Sequence, residues 1–303
     1  MKEAFESVKR WHLKLRTKSG RETSTIRVWD HYLSIFLEKV ARKDPDELIT
    51  ERRQHLKSDD QLVRRQHEEL VTKFVSELQG QGAPPNTVKT AVAGIRSWYS
   101  ANYVDLTTIE TPRGIAVRTV RIPTREDLRA VCEVAEPTTK AYILCAKDTG
   151  MAISDMLRLS LDWTSPLYGT VKQQLIGDRV PIHLHVVREK TAVSFDTFLG
   201  SDAIQGLKEW QPPTNRLFTC TDKTIRNMLT RVSQKAKLPY KLQSHAIRKF
   251  FNTYMKLAGV NEALVEMWMG HSIGVVRGAY LLPPVPELEK IYLENYKAIK
   301  VLP

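Results

Sequence analysis

The residues best suited to chemistry lie between positions 245 and 280. His245 and Arg248 are three residues apart, a spacing that places both side chains on one face of a helix. His271 follows in a Gly-His-Ser segment, and Tyr280 comes nine residues later. Arginine's planar fork matches two phosphate oxygens, histidine can donate to a third, and cations can stabilise a nucleophilic phenolate. Together these residues predict a phosphate-handling site with a tyrosine nucleophile, although each alone is better explained by packing or capping.

The combination of these residues is far more specific than its parts. The order of these motifs and the text RKFF…AGVNE…GHS…RGAY resemble the tyrosine recombinases, or phage-type integrases, and most of all the archaeal integrases. By that resemblance Tyr280 attacks a scissile phosphate of duplex DNA and forms a 3′-phosphotyrosyl link. Arg248 would clamp non-bridging oxygens, while His245 and His271 would stabilise the transition state. Lys190, in REKTAVSFDTF, would protonate the departing 5′-hydroxyl, and neither a metal ion nor another cofactor is implied.

The resemblance breaks at one position. The family normally has a further arginine early in the catalytic domain, within Thr-Gly-hydrophobic-Arg-x-Ser-Glu/Asp, whereas this sequence has TGMAISD over 149–155. Ala152 therefore stands where an arginine is expected, and Asp155 matches the acidic residue that usually orients the site. Loss of one such donor typically costs about 10²–10³-fold in rate. Another cation could cover the position, with Arg277 as the first candidate and Arg188 as the second. Otherwise the alanine is an engineered substitution, or the chain binds DNA without cleaving it.

The composition favours a nucleic-acid partner. The 303 residues carry a formal net charge of +12, which suggests a polyanion such as nucleic acid or an anionic membrane surface. No apolar run approaches the ~20 residues that span a bilayer, and the first residues have no signal-peptide pattern. Double-stranded DNA is therefore the expected partner, no membrane is expected, and a cytoplasmic, nucleoid-associated location follows. The spacing of Cys132, Cys145 and Cys220 indicates neither disulfides nor a zinc site.

The fold class expected from the hydrophobic periodicity is mainly α with a small β-sheet. Residues 1–111 are predicted to form a helical, DNA-binding (core-binding) domain, and 112–123 a basic linker. Residues 124–282 would form the catalytic domain and 283–303 a tail with a short helix. The expected DNA contacts are Lys89 and Arg96 on one side of a helix, and Arg113, Arg118 and Arg121 in the linker.

Local signals place the elements of the predicted catalytic domain. Thr124 and Asp127 suggest a capping box at its first helix. Two alternating segments, 182–187 and 193–199, predict a β-hairpin with Lys190 at its tip. A helix over 153–161 would carry Arg158, which would then project about 120° away from position 152. Further helices are predicted over 138–148, 201–210 and 221–236 and from residue 244 onward.

The tail and the function leave alternatives open. The resemblance implies that residues 283–303 dock on a neighbouring protomer of a DNA-bound homo-oligomer, a tetramer; a tail folded back on its own domain is weighed equally. The main prediction is a site-specific recombinase that integrates or excises a mobile element, or resolves DNA dimers. Its rivals are a silenced DNA-binding protein marked by Ala152, a type IB topoisomerase that only relaxes DNA, and a helical protein that binds RNA or a protein partner.

Overall fold

The computed structural model is predominantly helical and divides into two compact units. These units, Met1–Thr119 and Val120–Pro303, are called the N-terminal and the C-terminal unit below. In the described part of the chain the strands form only two small antiparallel sheets of two strands each, which confirms the predicted fold class. The structure describes residues 4–19, 24–107, 109–114, 121–189, 191–271 and 283–303.

The N-terminal unit is built from helices around an aromatic core. Its fifth helix follows Pro84 and has proline at its first position, where the missing N–H costs nothing. Gly94 of that helix allows a close approach, because a Cβ there would lie 2.8 Å from the ring of Trp29. The described elements are α1 (Glu6–Ser19), α2 (Ser24–Phe36), a π-helical turn (Leu37–Ala41), α3 (Pro45–His55), α4 (Gln61–Gly80) and α5 (Pro85–Ala101).

The C-terminal unit begins with the predicted capping box. The Oγ1 atom of Thr124 accepts from the N–H of Asp127 at 3.1 Å, and Asp127 Oδ2 accepts from the N–H of Thr124 at 3.0 Å. The elements are α6 (Arg125–Val134), α7 (Pro137–Thr149), α8 (Ile153–Met156), β1 (Thr164–Ser165), β2 (Gly169–Thr170), α9 (Val171–Ile176), β3 (Ile182–Val187), β4 (Ser194–Leu199), α10 (Ser201–Trp210), α11 (Asp222–Lys235), α12 (Ser244–Leu257), α13 (Glu262–Trp268), α14 (Val285–Asn295) and a 3₁₀ turn (Tyr296–Ala298).

The predicted β-hairpin is confirmed, but the predicted helix before it is too long. Strands β3 and β4 pair antiparallel from Ile182 opposite Leu199 to Val187 opposite Ser194. Helix α8 ends at Met156 instead of continuing to residue 161. Arg158 therefore lies in a turn, where its Nη1 donates to the carbonyl of Val187 at 3.2 Å. The helical projection expected for Arg158 was wrong, because the backbone after α8 hydrogen-bonds to other segments of the chain instead of continuing the helix.

The tail packs into the core of the C-terminal unit through a buried polar cluster. Lys147 is fully buried between the carboxylates of Asp148 and Asp202. Tyr296 donates its hydroxyl proton to Asp148, with its oxygen 3.2 Å from both carboxylate oxygens. Asp202 Oδ2 accepts the backbone N–H of Val301 at 2.7 Å. The described tail therefore folds back on its own unit, while its exchange between protomers stays a prediction.

Candidate active site

Helix α12 presents Arg248 from a buried position. Phe250 and Phe251 on the same helix are fully buried, whereas Leu257 at the helix end is 78% exposed. The guanidinium of Arg248 donates from Nη1 to the carbonyl of Gly150 at 2.5 Å and from Nη2 to that of Met269 at 2.9 Å. Burial, followed by the nearby charge of Arg188, lowers the pKa of Arg248 to about 10. Arg248 therefore remains a cation at neutral pH.

Gly150 is required by both its conformation and its surroundings. It ends α7 with a φ of +59°, in the left-handed region that favours glycine. A Cβ at this position would lie 2.5 Å from Cδ1 of Phe251. The glycine thus lets α12 approach the end of α7, which brings its own carbonyl to the guanidinium of Arg248.

His271 is held between a cation and a carboxylate. Arg248 Nη2 lies 2.6 Å from Nε2 of His271, and because arginine can only donate, this ring nitrogen is the acceptor. The proton of the neutral ring is then on Nδ1, which donates to Oε2 of Glu266. Burial raises the pKa of Glu266, but hydrogen bonds from His271, Lys256 and Asn252 outweigh it and lower the pKa to about 2. The carboxylate of Glu266 therefore fixes the orientation of His271.

His245 lies on the open side of the same helix. Its side chain is exposed and lines the pocket into which Arg248 points. Partial burial, followed by the charges of Lys249 and Arg248, lowers the pKa of His245. At neutral pH this imidazole is uncharged, so it can accept a proton.

The end of the β-hairpin borders the same pocket. Arg188 follows β3, and its Nη1 donates to the carbonyl of Gly270 at 2.5 Å. Asp155 on α8 is buried, and its Oδ1 accepts the backbone N–H of Glu189 at 2.8 Å. Ala152, the residue before α8, caps that helix with its backbone alone. The hairpin end and the start of α8 are therefore joined by Asp155.

These residues surround an open pocket of about 710 Å³. The structure thus brings together several residues that the sequence analysis singled out, whereas Glu266, five residues before His271, was missed. No sequence motif marks Glu266. The only local signal is an acidic residue near the end of a predicted helix, followed by a histidine. The pocket's lining includes Ala152, Arg188, Arg226, Lys241, His245, Arg248 and His271.

Four predicted residues cannot be placed. Tyr280, Arg277, Lys190 and Arg118 lie outside the described residues. Their predicted roles are therefore carried by the sequence alone.

The remaining predicted DNA contacts are exposed on their own units. In the N-terminal unit, Lys89 and Arg96 lie seven residues apart on α5, about two helical turns, and Arg113 is also exposed. In the C-terminal unit, the guanidinium of Arg121 stacks 4.7 Å from the ring centre of Tyr240. Each of these cations is accessible to a phosphate.

Metal clusters and membrane spans are absent from the described residues. They contain no group of three or more histidine, cysteine or acidic side chains arranged to hold a metal ion. None of their helices is both long and apolar enough to cross a bilayer.

Comparison with known proteins identifies the fold. No protein-family model matches this chain, and no curated protein does so either. Among solved structures, the Tn1549 transposon integrase in complex with transposon right end DNA matches over 96% of this chain and 99% of its own, with a TM-score of 0.62 and 12% identity. The lambda integrase dimer bound to a COC′ core site matches over 88% and 95%, with a TM-score of 0.55 and 14% identity.

A third solved structure agrees with these two. The XerH site-specific recombinase bound to a palindromic difH substrate, in a post-cleavage complex, matches over 81% of this chain and 75% of its own. Its TM-score is 0.56 and its identity 17%. All three proteins are recombinases or integrases in complex with DNA. The chain has their fold. At these identities the similarity concerns the fold.

Proposed function

We propose that this chain is a site-specific DNA recombinase that cuts and rejoins duplex DNA through a 3′-phosphotyrosyl intermediate. The observation that carries the proposal is the pocket lined by His245, Arg248 and His271 on a fold shared with recombinases bound to DNA. A buried arginine that stays charged and an oriented histidine suit a phosphate better than a neutral ligand. The finer expectations are an archaeal-type integrase of a mobile element, located with the nucleoid.

Each proposed group takes part in one step of bond making, bond breaking or proton transfer. The Oη atom of Tyr280 attacks phosphorus, the bond from phosphorus to the 5′-oxygen breaks, and Lys190 gives the departing oxygen a proton. His245 is the candidate acceptor of the phenol proton, because its lowered pKa keeps it neutral. The tyrosyl ester retains the energy of the phosphodiester, so that a 5′-hydroxyl can reverse the step without ATP.

Arg248 and His271 act as a preorganised pair. The guanidinium of Arg248 is oriented by the carbonyls of Gly150 and Met269 before any DNA arrives, so little reorganisation is needed when charge develops on the phosphate. Both ring nitrogens of His271 are engaged, one by Arg248 and one by Glu266. We therefore assign His271 the role of holding Arg248 rather than that of the base.

The proposed partners are double-stranded DNA and further copies of this chain. The exposed cations Lys89, Arg96, Arg113 and Arg121 are proposed to contact phosphates, which gives affinity without reading the sequence. Strand exchange needs at least two cleaved duplexes, so we propose a homo-oligomer on DNA, with a tetramer as the working form. The lambda integrase structure cited above is itself a dimer on its site.

A second candidate function is favoured by one observation. Ala152 lines the pocket beside Arg248 and His271, where the resembled family has an arginine. A pocket without that cation would bind a phosphate and cleave it slowly. On this alternative the chain is a silenced DNA-binding protein on the recombinase fold.

Covalent trapping separates the two functions. A duplex selected by binding from a random-sequence pool is nicked next to the cleavage point, so that a short product escapes and the tyrosyl adduct accumulates. The chain is compared with Tyr280→Phe and Ala152→Arg. An adduct that Tyr280→Phe abolishes supports the recombinase. An adduct formed only by Ala152→Arg supports the silenced protein, and no adduct from either on tightly bound DNA contradicts both the chemistry and the role of Tyr280.

A further inference from the structure

We infer that Arg188 supplies the second phosphate-clamping guanidinium of the pocket, in the space that an arginine at position 152 would otherwise enter. The inference rests on the recombinase function proposed above. Arg188 and Ala152 both line the pocket that contains Arg248 and His271. The side chain missing from the start of α8 is thus replaced by one that enters from the β-hairpin.

Arg188 is anchored at both its backbone and its head. Its N–H donates to the carbonyl of Val193 at 2.9 Å, which extends the ladder of β3 and β4 by one residue. Its Nη1 donates to the carbonyl of Gly270 at 2.5 Å. Gly270 has a φ of +70°, and a Cβ there would lie 2.8 Å from the ring of Phe195. The accepting carbonyl is therefore fixed directly before His271, and the guanidinium of Arg188 is fixed with it.

The two guanidinium groups form a site for one anion. Arg248 donates to the carbonyl of Met269 at 2.9 Å and Arg188 to that of the next residue, Gly270, at 2.5 Å, so the two guanidinium groups are bound to adjacent carbonyls beside one pocket. The charge of Arg188 accordingly helps, after burial, to lower the pKa of Arg248. Like charges in a partly buried pocket repel each other, and an anion between them relieves that repulsion. Nε of Arg188 is buried and has no hydrogen-bond partner among the described residues, so the contacts described do not saturate this guanidinium.

Asp155 acts as a positioning residue for this arrangement. In the resembled family the acidic residue at this place accompanies the arginine that is absent here. In this chain Asp155 Oδ1 instead accepts the N–H of Glu189 at 2.8 Å and holds the hairpin end that carries Arg188. Its Oδ2 is buried and has no partner within the described part of the chain. The carboxylate also favours the charged form of Arg248.

Two other described arginines, Arg226 in the pocket lining and Arg158 after α8, are less suitable. Arg226 makes a two-bond ion pair with Asp222, at 3.0 and 2.6 Å, and its side chain is 70% exposed. Arg158 is exposed and directed to the carbonyl of Val187. Arg188 alone among these three arginines is anchored beside His271.

The test is a swap of the arginine between two positions. Rates of adduct formation on the nicked duplex are measured for the unmodified chain, Arg188→Ala, Ala152→Arg, and the double variant that carries both changes. Arg188→Ala should slow cleavage by about 10²–10³-fold, the usual loss for one transition-state donor. The double variant should form the adduct at least tenfold faster than Arg188→Ala, because the new arginine side chain enters the same space. If Arg188 is merely structural, the double variant should be no faster than Arg188→Ala.

A neutral substrate supplies an independent readout. A methylphosphonate at the scissile position replaces one charged oxygen with a methyl group, which removes the charge that a second guanidinium would neutralise. On this substrate the rate difference between the unmodified chain and Arg188→Ala should shrink to less than about tenfold. Thermal unfolding of every variant shows whether the fold is kept.

The outcomes distinguish failure of this inference from failure of the proposed function. If the unmodified chain forms the Tyr280 adduct and Arg188→Ala forms it equally fast, the inference is overturned and the proposed function stands. Suppose that Arg188→Ala is slow, that the double variant is no faster, and that the rate difference between the unmodified chain and Arg188→Ala does not shrink on the methylphosphonate. Arg188 is then structural and the inference is again overturned. If the unmodified chain forms no adduct on DNA that it binds, the proposed function falls together with the inference.

Discussion

Replacing Glu266 by glutamine removes the carboxylate that orients the pocket histidine, and its effect follows from the structure. Glu266 accepts from His271 Nδ1 and, at 2.9 Å each, from Lys256 Nζ and Asn252 Nδ2. Burial alone raises the pKa of Glu266, but these hydrogen bonds lower it from an ordinary 4.5 to about 2. The carboxylate is therefore stabilised in its charged form in the folded state.

The size of the effect can be bounded. A pKa depression of this extent corresponds to about 3 kcal/mol at most, and partial exposure to solvent reduces the contribution to about 1–2 kcal/mol. Because the folded pKa lies below the unfolded one, the carboxylate stabilises the fold above pH 4.5 and loses that effect as the pH falls toward 2. Glu266→Gln should therefore destabilise the C-terminal unit by about 1–2 kcal/mol at pH 7, and by progressively less below pH 4.5.

Urea denaturation of the full chain between pH 7 and pH 3 measures this difference. The matched control is Glu262→Gln, on the same helix, whose carboxylate is 72% exposed and also bonds Lys256, at 2.7 Å. The control should change the free energy of unfolding by less than about 0.5 kcal/mol. The reasoning is refuted if Glu266→Gln matches the control at pH 7, or if its destabilisation is as large at pH 3 as at pH 7.

Three further predictions concern other parts of the molecule. Gly150→Ala should cost about 2–5 kcal/mol in calorimetry, since a left-handed alanine and a clash with Phe251 add together; a cost below 1 kcal/mol would contradict the packing. Deleting residues 284–303 removes several buried side chains worth about 1.5–3 kcal/mol each, so the C-terminal unit should fail to fold by circular dichroism; a cooperative, native-like unit would contradict the tail's place in the core. The double change Lys89→Ala with Arg96→Ala should reduce the slope of log affinity against log salt by about 2; an unchanged slope would remove α5 from the DNA interface.

Much of the architecture could be predicted because its signals are local. The capping box at Thr124 and the β-hairpin over residues 182–199 are both present in the structure. Each depends on residues within a few positions of one another, so the chain's own chemistry specifies it. The predicted phosphate-binding face of α12 likewise follows from the spacing of His245 and Arg248.

The parts that could not be predicted depend on distant segments. The helix expected over 153–161 stops early because Leu159 and Leu161 bond the backbone at Leu217 and Asn215 instead. These bonds satisfy the backbone groups that a longer helix would have used, and periodicity cannot reveal them. Glu266 was missed for a related reason, since its importance appears only when α12 and α13 bring Arg248 next to His271.

The position of Arg188 illustrates the same limit in the pocket. Its sequence number placed it beside the hairpin, and Arg277 was preferred as the substitute for position 152. The contact between Arg188 and the carbonyl of Gly270 joins residues 82 positions apart. Only the packing of the hairpin against the end of α13 creates it, so no spacing rule in the sequence reveals this contact.

The most direct test of the central claim is to identify the residue that becomes joined to DNA. The adduct trapped on the nicked duplex is digested with a protease and a nuclease, and the modified peptide is sequenced by mass spectrometry. The proposed mechanism predicts a nucleotide attached through its 3′-phosphate to Tyr280, and no such peptide from Arg248→Ala within the same time. Attachment at another residue, or its absence on tightly bound DNA, would contradict the assignment of this pocket to DNA strand cleavage.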